Sequence, residues 1–293
     1  MKATKGLSSK QIAGMVTDQV IKGLEEGHIP WHKPWLSNAS GYQNFATGHQ
    51  YSGINTLLLN LICAQRKYTY PLFASFKQIS TLGGRVNKGA KGSSIVFSKR
   101  IEVEDKENPD QKKQFSLLKS WTVFNLSQTN LDTKDRRISK YTTETKPKPF
   151  DIIADAEAII KNSHASILTG GDVASYSQMT DTINLPDRQS FDTERDYYNT
   201  AFHELVHWTG HSSRLDRLTK TGFGSGEYSQ EELVAEIGSN MIAFTIRMTE
   251  EITRNSQAYI NHWLSVLKTN NPSFIIQASS KAEKATAMAV RGS

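Results

Sequence analysis

The pattern H-E-x-x-H within residues 201–208 (AFHELVHW) constrains the fold of this chain more than any other feature. On an α-helix, side chains four residues apart project from the same face, so the imidazoles of His203 and His207 can bind one zinc ion together. Glu204 lies between them, where a carboxylate can act as a general base on a bound water. The pattern therefore predicts a helix that carries a hydrolytic metal site. The alternative is a pair of surface histidines with ordinary polar partners.

The residues around the motif also favour a helix. Polar side chains recur with helical spacing on one side of the segment and apolar side chains on the other. The polar positions are Asp196, Thr200, His203 and His207, and the apolar positions are Tyr198, Ala201, Phe202 and Leu205. Gly210 follows and is placed to end the helix.

Two histidines do not complete a catalytic zinc site, which usually has three protein ligands and one water. In the elongated pattern H-E-x-x-H-x-x-G-x-x-H, the third histidine stands three residues after the glycine. That position is Ser213 here, and His211 comes two residues too early. The third ligand is therefore expected to be a carboxylate on a second helix, which the apolar spacing predicts over residues 230–248.

The run E-E-L-V-A-E in this second helix supplies the candidates, because Glu232 and Glu236 lie one helical turn apart and opposite the apolar side. We predict Glu232 as the third ligand and Glu236 as the group that accepts a hydrogen bond from a ligating histidine. Two alternatives stay open. Glu236 is the ligand itself, or Ser229 and Glu232 form a capping box in which Glu232 only satisfies backbone donors.

Charge divides the chain into two unlike halves. Residues 1–150 hold 23 Lys+Arg and 11 Asp+Glu, whereas residues 151–293 hold 12 and 18. The first hundred residues alone carry 13 basic and 3 acidic side chains. This excess predicts a polyanionic partner for the N-terminal half, and the metal motif lies in the acidic half.

Two segments of the basic half have the composition of a nucleic-acid contact. Residues 28–52 are irregular and rich in aromatic rings, which suit stacking on unpaired bases if they are exposed; the alternative is that they pin a loop to the core. Residues 85–92 form a basic, glycine-rich loop suited to phosphate oxygens. The candidate contacts with single-stranded DNA are Trp31, Lys33, Trp35, Tyr42, Tyr51, Lys77, Arg85, Lys88, Lys91, Lys99 and Arg100.

The periodicity of the N-terminal half predicts a mixture of helices and strands. Apolar spacing and capping signals predict helices over residues 9–26 and 53–66 and a shorter one after Ser75. A β-branched run from Ile95 onward continues to a charged turn at residues 105–114 and returns, which predicts a β-hairpin.

A linker separates this half from the rest of the chain. Residues 130–149 hold almost no large apolar side chains and end in Lys-Pro-Lys-Pro. Beyond them the chain reads as mainly helical, with one strand at residues 182–185. The predicted fold class is therefore α+β in two domains, a basic α+β domain at residues 1–129 and a mainly helical domain with a small sheet at residues 150–293.

Cysteine usage and hydropathy limit the compartment in which the chain works. Cys63 is the only cysteine, so an intrachain disulfide is excluded. Residues 1–10 lack the apolar segment of a signal peptide, and no run approaches about eighteen apolar residues. We expect a soluble, non-secreted, cytoplasmic protein without a membrane partner.

Seven short motifs, in this order, resemble the plasmid-borne ArdC-type antirestriction proteins. They are W-x-K-P-W (31–35), Y-S-G-I-N (51–55), F-K-Q (76–78), V-x-K-G-x-K-G (86–92), H-E-L-V-H-W-T-G-H (203–211), R-L (214–215) and E-E-L-V-A-E (231–236). The N-terminal module is also similar to that of some conjugative-plasmid primases. The resemblance implies a domain that binds single-stranded DNA, joined to a zincin-like metallopeptidase domain, and protection of incoming plasmid DNA from host restriction during conjugation.

The resemblance also implies roles for individual residues. It carries His203 and His207 over as ligands of one zinc ion, Glu204 as the catalytic glutamate, and Glu232 as the third ligand. The protein partners it suggests are host restriction enzymes or another protein substrate.

Three functions compete at this point. The first is a DNA-binding antirestriction protein with a zinc peptidase domain. The second is a zinc peptidase whose basic half recruits its protein substrate. The third is a DNA-binding protein whose metal only stabilises the C-terminal domain.

Overall fold

The structure is a computed structural model that describes residues 7–31, 41–68, 70–104, 112–131, 138, 149–170, 172–218, 226–248 and 257–292. The helices are α1 (Ser9–Glu25), α2 (Ile54–Arg66), α3 (Phe76–Thr81), α4 (Pro149–Ser163), α5 (Glu194–Trp208), α6 (Gly226–Thr245), α7 (Gln257–Thr269) and α8 (Phe274–Arg291). The strands are β1 (Gln43–Asn44), β2 (Leu72–Ala74), β3 (Ser93–Glu104), β4 (Lys112–Asn125), β5 (Ser166–Thr169), β6 (Ser175–Ser177) and β7 (Thr182–Leu185). None of the described helices is long and apolar enough to cross a membrane.

The predicted hairpin is the main feature of the N-terminal sheet, whose strand order is β1-β2-β4-β3. Strands β3 and β4 pair antiparallel from Ser93 opposite Val123 to Glu104 opposite Lys112. Helix α1 begins at the capping box that the sequence predicts, because the Ser8 hydroxyl accepts from the backbone N–H of Gln11. The helices predicted over residues 9–26 and 53–66 are confirmed within one residue at their ends.

The C-terminal half is mainly helical around a small sheet of order β5-β7-β6, which confirms the predicted α+β class. Strand β5 runs parallel to β7, and β6 runs antiparallel to it at one edge. The motif helix α5 packs against α6, and α6 packs against α8. The sequence interpretation did not include helices α7 and α8.

One hydrophobic core joins the two predicted domains. Val16, Val20 and Leu24 of α1 belong to the same buried cluster as residues of α5, α6, α7 and α8. The Thr17 hydroxyl donates to the carbonyl of Pro272 at 2.7 Å. Residues 1–129 and 150–293 are thus distinct in charge but share a core, so experiments on function are best made with the full chain.

The described aromatic rings of the irregular segment 28–52 are buried in the interior of the protein. Trp31, Tyr42 and Tyr51 are only 5%, 2% and 6% exposed. Trp31 packs edge-on against Trp263 with ring centroids 5.9 Å apart, and the Tyr42 hydroxyl donates to Asn60 at 2.8 Å. The prediction that these three rings are exposed for base stacking is therefore wrong, because they anchor the segment to the core. Composition alone does not separate the two possibilities.

Candidate metal centre

Helix α5 presents both histidines of the motif on one face, as the sequence predicts. The helix begins at Thr193, whose hydroxyl accepts from the backbone N–H of Asp196 at 3.1 Å. Phe202, Leu205 and Val206 on its other side are fully buried in the core. The imidazoles of His203 and His207 are partly exposed, and their ring centroids lie 4.9 Å apart.

Glu232 of α6 completes a cluster of three donor groups with these histidines. The two Nε2 atoms are 3.2 Å apart, and each lies 3.6 Å from an oxygen of Glu232. Bonds of about 2.0–2.1 Å to a tetrahedral ion put neighbouring donor atoms about 3.4 Å apart. The spacing and the two-histidine, one-carboxylate composition therefore fit one four-coordinate divalent cation whose fourth position none of the described residues occupies.

A glycine allows the ligand-bearing helix to approach the motif helix. A Cβ atom at Gly238 would lie 2.8 Å from a methyl group of Val206, closer than side chains tolerate. Helix α6 begins at Gly226, so Ser229 and Glu232 both lie within the helix. The capping-box alternative for Glu232 is therefore excluded, and its carboxylate faces the histidines instead.

The hydrogen-bond partner of His207 differs from the one predicted. Its Nδ1 lies 3.4 Å from Glu231, whereas the Glu236 carboxylate accepts from the hydroxyl of Tyr259 at 3.1 Å. The prediction that Glu236 accepts from a ligating histidine is wrong, because one further helical turn carries Glu236 toward α7. Glu231 can hold a proton on Nδ1 of His207, which leaves Nε2 free for the metal.

Arg217 fixes Glu231 in place and was not found by the sequence interpretation. Its guanidinium donates to both Glu231 oxygens, at 2.8 and 3.2 Å, and also to the carbonyl of Val206 at 2.7 Å. Burial by itself raises the pKa of Glu231, but the hydrogen bonds from His207 and Arg217 outweigh it and hold the pKa below its usual range. The adjacent pair Glu231-Glu232 was a usable signal in the sequence, whereas Arg217 belongs to no local pattern.

Glu204 lies beside the cluster without being one of its donors. It is buried, and it borders the same cavity as Tyr176 of the edge strand β6. Burial raises the pKa of Glu204 above its usual range, although His207 and His203 partly oppose the shift. A carboxylate with a raised pKa is a better proton acceptor near neutral pH, which is what a general base requires.

The carboxylates around the cluster also perturb His203. Burial by itself lowers the pKa of this imidazole, but the hydrogen bond to Glu232 and the charges of Glu236 and Glu204 outweigh burial and raise the pKa. The cluster is therefore a site in which negative groups attract a cation, whether a proton or a metal ion.

An open cavity of about 540 Å³ gives access to these residues. His203, Glu204 and Glu232 form part of its wall, together with Arg217 and Tyr228. The volume lies within the range of about 300–1,000 Å³ that is common for ligand sites. A segment of another molecule can therefore reach Glu204 and the three donors together.

The predicted DNA-contact residues are dispersed over the N-terminal half. Lys77, Arg85, Lys88 and Lys91 are exposed. In the glycine-rich loop, Gly89 has a φ of 82°, which favours glycine. Lys33 and Trp35 lie outside the described residues, as do the side chains of Lys99 and Arg100 within β3.

Two further aromatic rings were missed by the sequence interpretation. Phe97 and Trp121 on the hairpin are 46% and 56% exposed, in contrast to the buried rings of segment 28–52. Alternation along the strands was the available signal, but Ile95 and Val96 are both buried, which obscures the period of two.

Two protein-family models match separate parts of the chain. Residues 10–124 match the N-terminal domain of anti-restriction factor ArdC, and residues 154–281 match a zincin-like metallopeptidase. Two Escherichia coli proteins named DNA primase TraC are each 34% identical over 284 residues, which is 92% of this chain. The chain spans only 19% and 26% of the length of these two relatives.

A solved structure matches almost from end to end. The metal-free crystal structure of antirestriction protein ArdC from plasmid R388 is 32% identical, with a TM-score of 0.73, over 95% of this chain and 96% of that chain. The Mn(II)-bound structure of the same protein gives a TM-score of 0.74. Together with the two family models, this agreement shows that the chain belongs to the ArdC family of antirestriction proteins and has a zincin-like C-terminal part.

Proposed function

We propose that this protein binds single-stranded DNA without sequence preference, protects incoming plasmid DNA from host restriction during conjugation, and carries a zinc-dependent peptidase site. The protective role is supported by the antirestriction family. The peptidase site is supported by the zincin-like part and its cluster of His203, His207 and Glu232. Both activities would be used in the cytoplasm of the recipient cell.

The observation that carries the peptidase proposal is the position of Glu204. Its carboxylate is buried next to three donors with tetrahedral spacing, has a raised pKa, and borders an open cavity. A metal site that only stabilised the fold would be closed by a fourth protein ligand and would need neither the cavity nor the glutamate. This combination favours hydrolysis over a purely structural site.

Each residue of the site has its own role in peptide hydrolysis. Zinc held by His203, His207 and Glu232 would polarise the scissile carbonyl and lower the pKa of a water molecule. Glu204 accepts the proton of the attacking water and delivers it to the leaving amine. Glu231 keeps His207 in the tautomer and orientation that leave its Nε2 available.

Strand β6 supports an extended peptide as the substrate. It is an edge strand of the described sheet β5-β7-β6, and Ser175 and Tyr176 line the cavity. The backbone groups on the outer side of an edge strand can pair with an added strand. A peptide paired with β6 would lie along the cavity whose wall Glu204 shares with Ser175 and Tyr176.

The basic N-terminal half supports the DNA-binding proposal. Lys77, Arg85, Lys88 and Lys91 are exposed and can neutralise phosphates. Two relatives are named DNA primases, and the N-terminal family model comes from an antirestriction factor. Non-specific contact with the phosphate backbone suits a protein that must cover DNA of any sequence.

Conjugative transfer of an unmodified plasmid into a restricting recipient tests the proposal. The parent protein should raise the number of transconjugants over a recipient that lacks it. A Lys88→Ala/Lys91→Ala variant should lose part of this protection, because protection requires DNA binding. No rise with the parent protein, produced at normal levels, would refute the antirestriction role.

The variant Glu204→Gln separates protection from hydrolysis. It should keep the metal and lose peptide hydrolysis, because a neutral amide cannot accept the proton of water. We expect it to retain most of the protection. Loss of protection in this variant would show that proteolysis is the protective activity; hydrolysis at the parental rate would show that Glu204 is not the general base.

A further inference from the structure

We propose that a groove on the β3–β4 hairpin, lined by Phe97, Leu117, Lys119 and Trp121, is where unpaired bases of single-stranded DNA stack. This inference rests on the proposed DNA binding and assigns it to a site that the sequence interpretation did not include. The groove has a volume of about 750 Å³, enough for a small planar ligand.

The exposure of the two rings is the first argument. Phe97 and Trp121 are about half exposed and meet edge to face, with centroids 6.4 Å apart and planes at 88°. Leu117 extends the same apolar surface. An exposed aromatic pair on a rigid antiparallel sheet offers faces on which bases stack at little cost in conformational entropy.

The register of the hairpin supplies the second argument. Phe97 lies directly opposite Lys119, and Ile95 lies directly opposite Trp121. Lys119 therefore stands on the same face as both rings, two residues from Trp121, and it is exposed. A strand whose bases stack on Phe97 and Trp121 can place a phosphate against this cation.

The walls of the groove contain polar groups as well. His49 and Thr47 come from the turn after β1, and Gln78 comes from the first turn of α3. These side chains can donate to or accept from the edges of bases, but most of the surface of the groove is apolar. The composition favours stacking with little sequence preference.

The charge of the chain segments that form the groove indicates which class of molecule binds there. Between Gly27 and Ile101 the sequence has no Asp or Glu and nine Lys+Arg, and residues 112–131 add three more lysines and no acid. The groove lies entirely within these two stretches. The residues that line the groove include Lys119 and no carboxylate. A phosphodiester chain gains more from this charge balance than a peptide or a second copy of this chain does, so the complementarity favours nucleic acid.

Substitutions at Trp121 test the groove in the full-length protein, with a labelled oligothymidylate as the probe and binding measured by fluorescence anisotropy. Trp121→Leu keeps an apolar side chain but removes the aromatic face, and it should weaken binding by about 5- to 150-fold. Trp121→Phe should bind within about threefold of the parent, because a ring is restored. Trp121 is exposed, so neither variant is expected to unfold, and circular dichroism checks this.

The matched control is Phe76→Ala. Phe76 is an exposed ring in the same half of the chain, but it does not line the groove. Its loss should leave affinity unchanged. Equal losses of affinity in Phe76→Ala and Trp121→Leu would contradict the assignment of base stacking to the groove, since any exposed ring would then contribute equally to binding.

Intrinsic fluorescence gives an independent readout. Trp31, Trp208 and Trp263 are buried, whereas Trp121 is the exposed tryptophan within the described residues. Oligothymidylate should quench the parent protein, and Trp121→Phe should lose most of the quenching while it keeps its affinity. If the parent and all Trp121 variants bind with equal affinity, the assignment of base stacking to the groove is wrong, and binding depends on charge alone. If the parent does not bind single strands, the proposed DNA binding itself is wrong.

Discussion

The indole of Trp31 donates a hydrogen bond to the hydroxyl of Tyr259 at 3.0 Å, which ties the two halves of the chain together. The same hydroxyl donates to Glu236 at 3.1 Å. Glu236 lies one turn after Glu232 on α6, so this chain of hydrogen bonds runs from the segment after α1 to the helix that carries the third donor of the metal cluster.

Replacement of Tyr259 with Phe should destabilise the protein without removing the metal. It leaves the Trp31 N–H and the Glu236 carboxylate without this partner in a largely buried site, which costs about 1–3 kcal/mol of unfolding free energy. Thermal unfolding measures the loss, and Tyr70→Phe serves as a control outside this network. A variant as stable as the parent would show that the link contributes nothing.

The three donors of the cluster should hold one ion. His203→Ala, His207→Ala and Glu232→Ala should each sharply weaken zinc binding, since each removes one of three ligands. Metal content after dialysis and calorimetric titration with Zn²⁺ and Mn²⁺ measure the effect. His211→Ala is the matched control, because His211 pairs with Ser213 outside the cluster. Stoichiometric metal in a His203→Ala/His207→Ala variant would refute the site.

The effect of Glu231, which orients His207, should be distinguishable from that of Glu236, five residues further along the same helix. Glu231→Gln should weaken metal binding by about 10- to 100-fold, because the His207 ring loses the group that fixes its tautomer. Glu236→Gln should change the affinity little, since Glu236 bonds to Tyr259. A larger loss of metal affinity in Glu236→Gln than in Glu231→Gln would support the sequence prediction that Glu236 accepts a hydrogen bond from a ligating histidine.

The sequence predicts those parts of the metal site that depend on residues close together in the chain. The spacing of His203 and His207 on a helix is a property of five consecutive residues, and the same helical spacing placed Glu232 among the candidates. The choice of Glu231 over Glu236 as the partner of His207 depends on how α6 lies against α5. That depends on the contact of Gly238 with Val206, which no periodicity reveals.

The aromatic residues of the N-terminal half are a second case in which the local sequence does not determine the structure. Segment 28–52 is rich in rings, and its composition is equally compatible with a stacking surface and with a core anchor. Trp31 and Tyr42 are buried because partners from remote parts of the chain, such as Trp263, cover them. Phe97 and Trp121 are 46% and 56% exposed, whereas Ile95 on the same face of the hairpin is buried. Which part of a strand face is covered is a tertiary property.

The stabilisation by metal should depend on pH. In the metal-free protein the pKa of His203 is raised, so its contribution to stability is fully present below about pH 6.5 and is lost as the pH rises through the folded pKa. The metal must displace this proton, so the rise in melting temperature on adding zinc should be smaller near about pH 6 than near about pH 8. Thermal unfolding with zinc or chelator at both pH values measures it. In His203→Ala the rise should nearly vanish at both, and a larger rise at the lower pH in the parent would contradict the assignment.

The salt dependence of DNA binding should separate phosphate contacts from stacking. Lys88 and Lys91 are exposed on the glycine-rich loop, so replacing both with Ala should weaken binding to any single strand and reduce the slope of log K against log salt by about 0.7 per lost phosphate contact. Trp121→Leu should weaken binding with the slope nearly unchanged, because stacking releases no counterions. Titrations of oligothymidylate at several salt concentrations give both slopes. An unchanged slope in the double lysine variant would show that the loop is not part of the DNA-binding surface. If duplex DNA binds as tightly as single strands at moderate salt, only the general charge of the N-terminal half is left as the source of affinity.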